Sequence, residues 1–89
     1  MNAVIVSVSI DDAEKATELL RNEVVPQVSQ APGFVAGYWV SVENRSQGRG
    51  TIIFESEEAA SAAADMIQQQ ASEGVTIDNV QVGQVEAHA

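Results

Sequence analysis

Side chains able to do chemistry are sparse in this sequence. Cysteine is absent and histidine occurs once, as His88, so thiolate chemistry, a disulfide framework and a histidine-rich metal site within one chain are excluded. What remains is Tyr38 beside Trp39, the arginines Arg45 and Arg49, the acidic pair Glu57-Glu58, and His88 itself. A phenol such as Tyr38 can donate a hydrogen bond to a substrate oxygen, with its surroundings tuning its acidity. Equally, a strand tyrosine can pack its ring in the core and send its hydroxyl to the rim. Trp39 can stack on a flat ligand or pack in a subunit interface. Arg45 and Arg49 have the fork geometry to clamp a carboxylate or phosphate, but arginines in a polar turn often serve solubility alone. His88 has the type of a general base, whereas a terminal histidine is commonly solvated. The positive end of a helix dipole accounts for Glu57-Glu58, so no metal site is expected. No GxSxG, P-loop, HExxH or GxGxxG occurs. Tyr38 is thus the catalytic candidate, and no cofactor is expected.

Charge narrows the partners. Thirteen acidic residues against four basic ones leave a net −9, which repels phosphate backbones and anionic lipids. Neither nucleic acid nor a membrane is expected as a partner. The first residues lack the basic stretch of a signal peptide, and no apolar run approaches the ~18–20 residues of a spanning helix. A cytoplasmic protein is expected.

The elements that must position these residues follow from periodicity. Residues 3–10 alternate, with Val4, Val6, Val8 and Ile10 on one face and Ala3, Ile5, Ser7 and Ser9 on the other. Asp11-Asp12-Ala13-Glu14 reads as a capped helix start. A stripe of Ala13, Ala16, Leu20, Val24, Val28 and Ala31, with Leu19 beside it, then keeps one helix face inward to about residue 30. Pro26 lacks the N–H owed to the carbonyl of Asn22, which predicts a kink there. Residues 34–43 form a second strand with Phe34, Ala36, Tyr38, Val40 and Val42 on one face, and Val35, Gly37, Trp39, Ser41 and Glu43 on the other. A polar turn at 44–50 leads to a third strand at 51–55, closing a hairpin. Ser56 caps a second helix with inward Ala60, Ala63, Ala64, Ile67 and Ala71, which Gly74 ends. The last strand begins near Val75 and continues to about Ala87. Its apolar parity changes between Val82 and Val85, which predicts a bulge at Gly83.

This order, strand-helix-strand-strand-helix-strand, describes one α+β domain over residues 1–89: a ferredoxin-like βαββαβ unit with an antiparallel four-stranded sheet and two helices on one face. The uncovered face should be polar in a monomer, yet Ile5, Val35, Trp39 and Ile53, or their counterparts if the faces are reversed, would form an exposed apolar patch. A homodimer with sheets packed face to face is the simplest closure. Small residues on the second helix leave room against the sheet. They predict a pocket for a small apolar or aromatic ligand, lined by Val6, Val8, Phe34, Phe54, Ala63 and Ile67, with Tyr38 as its polar tip.

The run APGFVAGYWV, the hairpin after it, and FESEEAA entering an Ala-rich helix resemble the dimeric α+β barrel superfamily. Within it the chain is most similar to the antibiotic-biosynthesis-monooxygenase-like branch, and the resemblance spans nearly the whole chain. It implies a homodimer with a ligand pocket in each protomer, between helices and sheet. Heme-degrading members use an asparagine on the first strand, a tryptophan ending the third and a histidine on the second helix. Here those positions hold Val6, Phe54 and no histidine, so heme is not the implied ligand. Cofactor-free oxygenases of the branch act on polycyclic phenols, which implies a monooxygenase or isomerase as the alternative to a binding protein. A structural or interaction module is the third possibility.

Overall fold

The computed structural model describes residues 1–69 and 75–89. Its elements are β1 (Asn2–Ile10), α1 (Ala13–Leu19), a π turn (Leu20–Val24), α2 (Val25–Ser29), β2 (Phe34–Val42), β3 (Gln47–Phe54), α3 (Glu57–Gln69) and β4 (Val75–Gln84). The four strands form one antiparallel sheet in the order β2-β3-β1-β4. Strand β3 lies between β1 and β2, so the first βαβ unit is split, an arrangement compatible with a ferredoxin-like fold. Among the described residues no helix is long and apolar enough to cross a membrane. The expected helical positions Ala71 and Gly74 lie outside the described residues.

Both helical layers cover the same sheet face. Val28 of α2 is buried together with Ala60, Ala63, Ala64 and Ile67 of α3, against Val4, Val6, Ile52 and Phe54 of the sheet. The alternation read for β1 explains this, because Val4 and Val6 face the helices while Ile5 is 41% exposed. Phe34 meets Phe54 edge to face with ring centroids 6.1 Å apart, closing one end of that core.

Local chemistry sets the helix ends. Asp12, rather than Asp11, caps α1, its side chain accepting from the N–H of Lys15 at 3.1 Å. Ser56 caps α3 through the N–H of Ala59 at 3.1 Å. Around Pro26 the helical path changes type. At the residue before the proline, the Val25 N–H donates to the carbonyl of Leu20, closing a π turn, and Pro26 then falls in the first turn of α2, where its missing N–H costs least. Backbone angles stay right-handed across this segment, so α1, the π turn and α2 run on as one helical path.

Three boundaries differ from the sequence reading, each because a neighbouring strand decided them. The hairpin turn is shorter than 44–50: Gln47–Gly50 is polar and glycine-rich, yet it pairs with β1 on one side and β2 on the other. The irregularity in β4 lies at Asp78, between the partners of Ser7 and Val8, and not at Gly83, which pairs regularly with Ala3. The Asp78 carboxylate accepts from the Ser9 hydroxyl at 2.6 Å, so the extra residue is tied down across the sheet. Finally, β4 ends at Gln84, with the Val85 N–H donating to the carbonyl of Met1.

Candidate functional site

A bulge at the start of β2 decides which aromatic residue faces the helices. Phe34 pairs with Phe54, but Ala36 pairs with Ile53, so Val35 is extra. One inserted residue inverts the parity of everything after it. Gly37, Trp39 and Ser41 then join Phe34 on the helix side, opposite Ile52, Gly50 and Gly48. Ala36, Tyr38, Val40 and Val42 fall on the outer face. The second-strand assignment made from strict alternation is therefore corrected: Trp39 is an inner residue, and Tyr38 is an outer one with 68% of its surface exposed.

Trp39 lies on a bed of glycines. A methyl group at Gly37 would stand 2.7 Å from the indole Cη2, and one at Gly50 would stand 3.1 Å from Cδ1. An alanine at Gly37 would force the ring to move and one at Gly50 would press it by a few tenths of an ångström, so the glycines let the indole lie against the sheet. At Gly48 a methyl would meet Val8 Cγ2 at 2.8 Å. The inner face of β2 and β3 in this region is thus low, with one flat ring over glycine backbone and Val8 beside it.

Above it the helix does not close the gap. A cavity of about 460 Å³ lies between the sheet and the first helical path. Its floor includes Val6, Val8, Trp39, Gly48 and Gly50; its roof includes Ala16, Thr17 and Leu19 of α1 and Leu20, Arg21 and Val24 of the π turn. Ile67 of α3 and Val75 and Ile77 of β4 complete one wall. The space is within the range of small-molecule sites and its walls are mainly apolar with a few polar groups, the usual make-up of a ligand pocket. The π turn supplies three of the roof residues, a placement often found at functional sites.

The residues predicted to line a pocket are divided by the structure. Val6, Val8 and Ile67 line it. Phe54 and Ala63 are buried core, and Phe34 packs against that core, so all three belong to the filled end of the molecule. The cavity lies chiefly under the first helix rather than the second, because α3 meets the sheet with alanines and comes close enough to leave no space. Val6 is accordingly part of the cavity floor and Phe54 part of the core. Of the residues predicted for the uncovered face, Ile5 and Ile53 are on it, Val35 is exposed at the bulge, and Trp39 is not on it. His88 is exposed in the segment after β4 and is not part of the lining.

The arginines also separate. Arg49 alternates to the outer face, opposite Ser7 and Val40, and its guanidinium donates to the side-chain oxygen of Gln47 at 2.9 Å, a neighbour on that face. Arg49 also borders the cavity, from a strand position whose side chain alternates to the opposite face. Arg45 is different. Its guanidinium reaches over the mouth and donates to Thr17 Oγ1 at 3.2 Å. Arg21, one helical turn beyond Thr17, borders the same mouth. From sequence, Arg21 falls with Lys15 and Glu18 on the side of the helix away from the inward stripe, and neither it nor Thr17 stands out as a site residue. The available signal was their spacing of four on the helix.

No cluster of metal-ligating side chains occurs among the described residues. Compared with known protein families, the chain matches none, and no curated protein matches it in sequence. The fold and the cavity therefore define it as a small α+β protein with one open end on its helix-covered sheet face.

Proposed function

We propose that this chain is a dimeric α+β barrel protein, akin to the antibiotic-biosynthesis-monooxygenase-like branch, that binds a small apolar or aromatic ligand in the cavity beneath its first helix. The observation that carries this reading is the 460 Å³ space with Trp39 laid flat on Gly37 and Gly50 as its floor. An unfilled apolar space costs stability in proportion to its volume, so a chain that retains one has a use for it. A purely structural module would fill it. The catalytic alternative relied on Tyr38, whose place on the outer face puts its phenol away from the cavity of its own protomer. Binding is the better reading.

The test is uptake of the neutral fluorescent probe N-phenyl-1-naphthylamine. Saturation at one equivalent per chain is expected, with loss of uptake in Ala16→Leu, which fills the roof. No saturable uptake would overturn the reading.

The dimer is supported by the outer sheet face. Ile5 (41% exposed), Tyr38 (68%) and Val40 (55%) lie there beside Ile53 and Ala36. At ~25 cal/mol per Å², covering a few hundred Å² in each copy contributes several kcal/mol before association costs. Sedimentation at micromolar concentration should give about twice the 9.4 kDa chain mass. Tyr38→Glu should shift it toward the monomer, because an unpaired carboxylate resists desolvation.

A further inference from the structure

We infer that the ligand of this pocket is an amphiphilic anion, with an apolar body over Trp39 and a carboxylate-type head at Arg45, Thr17 and Arg21. This rests on the binding reading and adds the chemistry of the head.

Charge distribution is the first observation. The chain has four basic residues against thirteen acidic ones, yet three of the four border one apolar cavity, and two of these, Arg21 and Arg45, also share the depression beside its mouth. Arg45 comes from the hairpin turn and Arg21 from the π turn, so sequence proximity does not account for the pairing. The oxygens that Arg45 meets are neutral: the Thr17 hydroxyl at 3.2 Å and the carbonyl of Ala13 at 3.5 Å. A guanidinium has five donors in a rigid fork, and neutral acceptors at those distances leave it able to take a carboxylate.

The second observation is the backbone that delivers Arg45. Glu43, Asn44 and Arg45 all have positive φ, of 51°, 57° and 65°. Such angles suit asparagine but are strained for glutamate and arginine. The turn is held by the Ser46 N–H and hydroxyl, both donating to the carbonyl of Glu43, and by the Ile10 N–H donating to the carbonyl of Ser46. The conformation carries the Arg45 side chain across to α1, over the opening.

Two carboxylates stand close by. Glu14 and Glu18 border a shallow depression that shares Thr17, Arg21 and Arg45 with the mouth. They compete with an incoming anion for the same guanidiniums, so a head group without an apolar body would gain little. The anion is selected when the body enters the cavity and brings its head to the rim.

The experiment uses the bound neutral probe as reporter and displaces it with 2-naphthoate or with the uncharged methyl 2-naphthoate. Naphthoate should displace at about ten-fold lower concentration than its ester, the difference expected of one charge-assisted hydrogen bond. Arg45→Gln and Arg21→Gln should each reduce that advantage, and the double variant should abolish it, the ratio of acid to ester being read within each variant so that any change in probe affinity cancels. Retained probe binding shows that each variant still folds. Glu18→Gln should tighten naphthoate alone. Equal displacement by acid and ester, or an advantage that survives the double variant, would overturn the inference and leave the pocket standing. Failure of the probe to bind would overturn the pocket itself.

Discussion

The two ends of one sheet face solve the same packing problem in opposite ways. At one end the sheet presents large residues, Phe54, Ile52 and Phe34, and α3 answers with Ala60, Ala63 and Ala64. At the other the sheet presents Gly48 and Gly50 with the indole flat beside them, while the roof carries the large residues Leu19, Leu20 and Val24. Large against small fills the first interface, where Phe54 and Ala60 are fully buried. At the second, the roof residues do not descend far enough to fill the space, and a cavity remains. The contrast shows that residue size on one surface does not decide whether a core closes. The height of the facing element does.

The largest expected effect comes from truncating each end. Phe54→Ala should cost about 3–5 kcal/mol in chemical denaturation, since it removes a ring from a closed core. Leu20→Ala should cost about 1 kcal/mol, because Leu20 is half-buried and already borders empty space. Equal costs would mean that the open end is closed in solution.

A second pair makes the same substitution on both helices. Ala63→Leu should destabilise by about 1–3 kcal/mol through overpacking, because Ala63 is only 3% exposed. Ala16→Leu should leave stability unchanged or raise it by up to about 1 kcal/mol, while abolishing probe uptake. A destabilising Ala16→Leu would place the roof nearer the sheet than it stands here.

The smallest effect is local to the floor. Gly37→Ala puts a methyl group 2.7 Å from the ring and should lift the indole at a cost of about 1 kcal/mol. Trp39 is the one tryptophan of the chain, so its emission reports the displacement directly. An unchanged spectrum would mean that the ring does not rest on Gly37.

Much of the fold was legible in residue order. Period-two alternation assigned the faces of β1 correctly, since Val4 and Val6 differ clearly from Ser7 and Ser9 in polarity. The stripe from Ala16 to Val28 is indeed the sheet-facing side of the first helix, and Ser56 announced the start of α3. Composition also placed few chemical groups in play. These are properties a segment has by itself: side-chain period, capping chemistry and the absence of a residue type.

The site was legible only in part. Residues 34–42 are apolar on both faces, so nothing in FVAGYWVSV says which parity is inward, and one extra residue at Val35 reversed the assignment of Tyr38 and Trp39. A bulge exists only relative to the strand beside it, because hydrogen-bond register is a property of the pair. For the same reason Asp78 could not be read from β4 alone. The meeting of Arg45 with Thr17 joins residues 28 positions apart through the hairpin and α1. The cavity depends on how far a helix with a π turn stands above a floor of glycines. Local sequence determined what each element is made of and which way most of them face. Tertiary structure decided where they fail to touch, since an empty space belongs to no single segment of the chain.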